Sequence, residues 1–163
     1  MGVRGLFHSL QSIRRPGKLL PQKGLRIGID AFCLLYLFKE KQDKFLEYID
    51  NLLLLEYNLT FIMDKRASKE KENLTLQLER LQQKAWQLSS EHIEWFLSMI
   101  VSKGISLQWA KEEADPLLAR GPFDCVISSD SDMLILGCSC LLVPKQSKSN
   151  SIEHDVYLSL IHI

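Results

Sequence analysis

Two aspartates one residue apart, Asp130 and Asp132, stand in the run Ser128-Ser129-Asp130-Ser131-Asp132, directly after the apolar Cys125-Val126-Ile127. Four further acids, Asp30, Asp64, Glu113 and Asp115, recur just after other short, β-rich runs. No histidine or cysteine ligand is interleaved in this set, and all-oxygen ligation selects Mg²⁺ or Mn²⁺ over zinc. So many carboxylates in one place repel one another unless neutralised, which implies about two divalent ions, the arrangement that steadies the attacking and leaving oxygens of phosphoryl transfer. The natural substrate of such a site is a phosphodiester. Ser and Asp are also ordinary helix caps, so any single junction could serve only to start a helix. Repetition favours chemistry, because the ends of parallel strands converge on one edge of a sheet, where ligands of open α/β sheets bind.

The elements that must position these acids follow from hydrophobic period. Runs 25–30, 59–64, 105–110, 125–127 and 140–143 predict strands, and 31–38, 45–55, 91–103 and 117–120 predict helices with an apolar face. Ser89 or Ser90 caps the helix that Gly104 ends, and a brief helix over 133–137 ends at Gly137. Glu113 and Asp115 would not share a face of a regular helix, so the chain must turn there, which Pro116 suits as a first-turn residue. Segment 6–13 is amphipathic, 14–18 reads as a basic turn, 145–151 as a polar loop and 152–163 as a last element. From 65 to 87 the chain is charged and helical, with Lys65, Arg66, Lys69, Lys71, Arg80 and Lys84 alternating with Glu70, Glu72 and Glu79. That pattern suits a solvated helix, or cations reaching a phosphodiester. Trp95 is expected in the core, whereas Trp86 could stack on bases. The fold class is α/β with a mostly parallel sheet.

At 163 residues the chain is the size of one domain. Its formal charge is zero, which argues mildly against a non-specific polyanion binder, although acids at a metal site can mask a basic rim. The four cysteines, Cys33, Cys125, Cys138 and Cys140, form no CxxC pair, and they read as small buried hydrophobes in a reducing, intracellular setting, nuclear or cytoplasmic. No apolar run approaches membrane-spanning length, so the expectation is a soluble, non-secreted protein without a membrane partner. An Asp-x-Asp phosphatase is disfavoured because Ala31 and Phe32 follow Asp30.

Met1-Gly2-Val3-Arg4-Gly5-Leu6, Ile29-Asp30-Ala31, Ile62-Met63-Asp64, Glu112-Glu113-Ala114-Asp115 and Ser128-Ser129-Asp130-Ser131-Asp132-Met133-Leu134 followed by Gly137 stand in that order along the chain. As a set they resemble the successive motifs of the flap endonuclease/XPG structure-specific nucleases, within the PIN-like fold. The resemblance implies a PIN-like, three-layer nuclease domain over 1–163, with Asp30, Asp64, Glu113, Asp115, Asp130 and Asp132 as metal ligands, directly or through water. It also implies Gly2 at the cleft against DNA, Lys71 as a phosphate-directed lysine, and Arg80 as its companion, displaced by two positions. The implied activity is Mg²⁺- or Mn²⁺-dependent endo- or exonucleolytic cleavage of DNA at junctions of single and double strand, in repair or replication. An RNA endonuclease and a non-catalytic docking module of the same fold are the alternatives. Lys65 stands where the family usually has glycine, and 65–90 is short for the family's helical arch. The chain stops before the family's last metal-binding aspartate and its helical duplex-binding module. The expectation is therefore a fragment, or a minimal nuclease that borrows duplex binding from a protein partner and alone binds DNA weakly and salt-dependently.

Overall fold

Side chains alternate across the strands, and both faces of the sheet are apolar, so both must be covered. The computed structural model describes residues 5–11, 14–17, 22–64, 88–146 and 152–159. The strands are β1 (Arg14–Gly17), β2 (Arg26–Asp30), β3 (Asn58–Asp64), β4 (Ser106–Ala110), β5 (Cys125–Ile127), β6 (Cys140–Gln146) and β7 (Ile152–Leu158). They form one seven-stranded sheet in the order β1-β7-β6-β5-β2-β3-β4. The run from β6 to β4 is parallel, and β7 pairs antiparallel with both β6 and β1. The helices are α1 (Leu6–Ser9), α2 (Ala31–Phe38), α3 (Gln42–Leu54), α4 (Ser90–Ser102), α5 (Ala114–Arg120) and α6 (Asp132–Ile135).

Ile27, Ile29, Phe61 and Ile127 face a core shared with Leu34, Ile49 and Phe96 of α2, α3 and α4. On the other face Ile62, Val126 and Leu141 meet Leu118 of α5 and Met133 of α6. The result is three layers, α/β/α, as the family resemblance implies. Trp95, expected in the core, is half-buried at its margin, edge-on against Phe45 at a centroid distance of 5.5 Å. Helix ends follow local chemistry. The Ser89 side chain accepts from the His92 N–H at the start of α4, and Gly104, at φ +63°, turns the chain after α4 in a region that L side chains avoid.

Two segments depart from the sequence expectation. Residues 14–17 form an edge strand rather than a basic turn: they pair with the outer side of β7, an edge tolerates Pro16, and Asp155 meets the charge of Arg14. Lys145 and Gln146 extend β6 instead of opening a loop, and Lys145 Nζ donates to Asp155 Oδ1 at 2.6 Å. Residues 152–158 are the expected last element, a strand. The shortened arch expected at about 65–90 falls mostly outside the described residues, as does Trp86.

Gly28 lies under the Phe123 ring, and a Cβ built there would stand 2.7 Å from the ring's Cδ2. This contact seats the link between α5 and β5 on the sheet. Gly28→Ala is expected to destabilise the fold by roughly 1–3 kcal/mol, and adding Phe123→Leu should recover part of the loss. Urea unfolding checks both, and an undiminished midpoint for Gly28→Ala contradicts the contact.

Beneath α3, Tyr48 Oη and His154 Nε2 are 2.6 Å apart and both side chains are buried. Burial lowers the His154 pKa from 6.5 to about 4, against a smaller opposing effect of Asp155. The unfolded chain therefore takes up this proton first, so the His154 contribution is complete above pH 6.5 and is lost as pH falls toward 4. The loss is on the order of 3 kcal/mol. Thermal melts between those pH values should show a steeper decline for the wild type than for His154→Gln, and equal slopes would contradict it.

Candidate metal centre

Each parallel strand that ends in an acid delivers it to the carboxyl edge of the sheet. Asp30 closes β2, Asp64 closes β3, and Asp130 follows β5 by three residues. Asp115 follows β4 and stands in the first turn of α5. All four line one cleft of about 570 Å³, together with Phe32, Cys33, Tyr36, Leu37, Ser129 and Pro144. That size suits a ligand site.

Backbone amides hold three of these carboxylates. Asp30 caps α2, its Oδ1 accepting from the Cys33 N–H at 3.1 Å, and its Oδ2 accepts from the Ser128 hydroxyl at 3.1 Å. Asp64 Oδ1 accepts from the Ala114 N–H at 2.5 Å, reaching across fifty residues of sequence to cap a helix whose own N-cap, Glu113, makes no side-chain cap bond. Asp130 Oδ1 accepts from the Asp132 N–H at 2.9 Å, and Asp130 is only 9% exposed. Capping and clustering are thus both present at the same side chains.

Burial raises the Asp30 pKa, and the Asp64 charge adds to the rise, while the Cys33 N–H and Ser128 hydroxyl oppose it. The Cys33 thiol is pushed up to about 11, first by burial and then by the Asp30 charge. The cleft is therefore a place where negative charge is costly unless a cation joins it.

The donor set fits a hard divalent ion in kind: carboxylate oxygens from three strand ends and one helix start, with hydroxyls beside them. An ionised carboxylate has about four lone-pair positions, so one accepted hydrogen bond does not exhaust it. Among the described residues, no group of three or more His, Cys, Asp or Glu side chains could hold an ion as they stand. An ion here would draw the carboxylates together or complete its shell with water.

The other expected residues divide into two groups. Glu113 is exposed at the N-cap of α5 and Asp132 is half-buried at the start of α6, and neither is among the residues lining the cleft. Gly2, Lys71 and Arg80 lie outside the described residues. The additions beyond the sequence-derived set come chiefly from α2. Cys33, Tyr36 and Leu37 follow Asp30 at helical spacing, and the stripe is legible once Asp30 is taken as the cap. Tyr36 is 49% exposed. Among the described residues, no helix is long and apolar enough to cross a membrane.

Solved structures share this architecture. The catalytic core of Rad2 in complex with DNA substrate matches at TM-score 0.73 and 20% identity, over 99% of this chain and 57% of that one. Human GEN1 in complex with Holliday junction DNA matches at TM-score 0.69 and 16% identity, over 96% and 44%. A structure of the Holliday junction-resolving enzyme GEN1 with product DNA and Mg²⁺ matches at TM-score 0.60 and 17% identity, over 96% and 39%. These are catalytic cores of the flap-endonuclease family, and the chain has their fold. It spans roughly half of their length, between 39% and 57%. No protein-family model and no curated protein matches the sequence.

Asp30→Asn keeps an acceptor for the Cys33 N–H, turns its amide N–H toward the Ser128 hydroxyl, and removes a buried charge facing Asp64. In chelator its melting temperature should equal or exceed that of the wild type, and added Mn²⁺ should raise the wild type more than the variant. A marked fall in chelator would show that the Asp30 charge itself supports the fold.

Proposed function

We propose that this chain is the nuclease core of a flap endonuclease/XPG-type enzyme, a divalent-metal-dependent phosphodiesterase that cuts DNA where single and double strands meet. The observation that carries this reading is the cleft itself: Asp30, Asp64, Asp115 and Asp130 meet at the carboxyl edge of a sheet whose fold is that of the Rad2 and GEN1 cores. DNA is favoured over RNA because those structures hold DNA, one of them with Mg²⁺.

Two Mg²⁺ or Mn²⁺ ions, when bound, would supply positive charge for the scissile phosphate and activate the attacking water. The chain's own residues do the rest. Asp30, Asp64, Asp115 and Asp130 orient the ions, and Asp132 and Glu113, on the adjoining helix starts, add carboxylates directly or through water. The exposed ring of Tyr36 at the cleft offers a flat face to a nucleotide base. Lys71 and Arg80 are assigned to the phosphate, and Gly2 to close approach of DNA at the cleft. Duplex binding is assigned to other parts of the protein or to a partner.

Cleavage of matched flap, duplex and single-stranded DNA in Mg²⁺ tests the reading. Asp130→Ala and Asp132→Ala should each lower turnover at least about a hundredfold with unchanged circular dichroism, and near wild-type turnover in either would contradict its assignment. Lys71→Ala should lower kcat more than it raises KM. An effect on KM alone would make Lys71 a surface contact.

A further inference from the structure

Ser128 is fully buried between β5 and the loop that carries Asp130. Its hydroxyl makes two hydrogen bonds, and their directions are determined by their partners. The Asp130 N–H donates to Ser128 Oγ at 3.1 Å, so the oxygen accepts there. The one hydroxyl proton is then committed to Asp30 Oδ2, also at 3.1 Å. The Ser128 N–H donates to the Leu142 carbonyl at 3.3 Å, which anchors the residue to β6.

These bonds join with others into one line across the sheet edge. Cys33 N–H binds Asp30 Oδ1, Ser128 links Asp30 Oδ2 to the Asp130 backbone, and Asp130 Oδ1 takes the Asp132 N–H. Ser128 is the link between the carboxylate of β2 and the loop after β5. A buried hydroxyl with both roles committed has no freedom to turn elsewhere, so it fixes the Asp30 carboxylate relative to the backbone that carries Asp130.

We infer that Ser128 is the positioning residue of the metal centre, holding Asp30 and Asp130 in the relation that a divalent ion requires. This rests on the nuclease reading above and assigns a role to a residue that does not itself line the cleft. Removing the hydroxyl takes one hydrogen bond from Asp30 Oδ2 and one from the Asp130 N–H and breaks the tie between them, so the two carboxylates would relax independently. The consequence falls first on ion affinity and only then on rate, as for other groups that orient metal ligands.

The test is Mn²⁺ binding by calorimetry and DNA cleavage, with the 163-residue chain as wild type, Ser128→Thr, Ser128→Ala, Ser128→Cys and Asp130→Ala. Ser128→Ala should weaken Mn²⁺ binding about tenfold or more. It should lower kcat at limiting metal with little change in KM for DNA, and recover much of its rate at high Mn²⁺. Ser128→Thr, which keeps the hydroxyl, should stay near wild type. Ser128→Cys, nearly the same size, should behave like Ala, and it carries the test if Ala does not fold. Wild-type Mn²⁺ affinity in folded Ser128→Ala or Ser128→Cys, with Asp130→Ala impaired, overturns this proposal alone. Folded Ser128→Thr as impaired as Ala likewise overturns it, because packing would then be the role. Absence of Mn²⁺ binding and of cleavage in the wild type overturns it together with the nuclease reading.

Discussion

Carboxylates buried at the carboxyl ends of parallel strands repel one another, and the surrounding chain is arranged to tolerate this. Each of Asp30, Asp64 and Asp130 accepts a backbone N–H from the start of the segment it faces: Cys33 in α2, Ala114 in α5 and Asp132 in α6. Helix starts present unsatisfied N–H groups and a partial positive charge, so they are the backbone's own counterweight to negative side chains. The same bonds that gather the acids also tie three helices to the sheet edge. Fold and site therefore share side chains here, since each of these acids both lines the cleft and accepts an N–H at a helix start.

The counterweight is incomplete. Asp30 remains in a setting that penalises its charge, through burial and through Asp64. A cation in the cleft would relieve that penalty, which is why the acids make more sense as ligands in waiting than as caps alone. Overall charge is no guide to this, because a chain with zero formal charge still gathers four aspartates around one cleft.

Much of this arrangement is readable from residue order. Apolar runs ending in Asp30, Asp64 and Cys125-Val126-Ile127 before Asp130 mark three adjacent parallel strands, since buried parallel strands need continuous apolar sequence. The strand at 14–17 was hidden because an Arg-Arg-Pro-Gly run joins a sheet only when a partner edge is present, and Tyr157 to His154 supply it from the far end of the chain. Lys145 looked like loop for the same reason, its charge being met by Asp155 across the ladder. The cap that Asp64 gives α5 spans fifty residues and has no local signal. The position of Glu113 turned on a single residue of helix register, which periodicity does not resolve.

Anomalous diffraction from crystals soaked in Mn²⁺ measures the central claim most directly. The account predicts strong peaks inside the cleft, within ligating distance of Asp30 and Asp130 and reaching Asp64 or Asp115, with the carboxylates drawn inward. Peaks confined to the surface, or a cleft that stays free of manganese at saturating concentration, would contradict it.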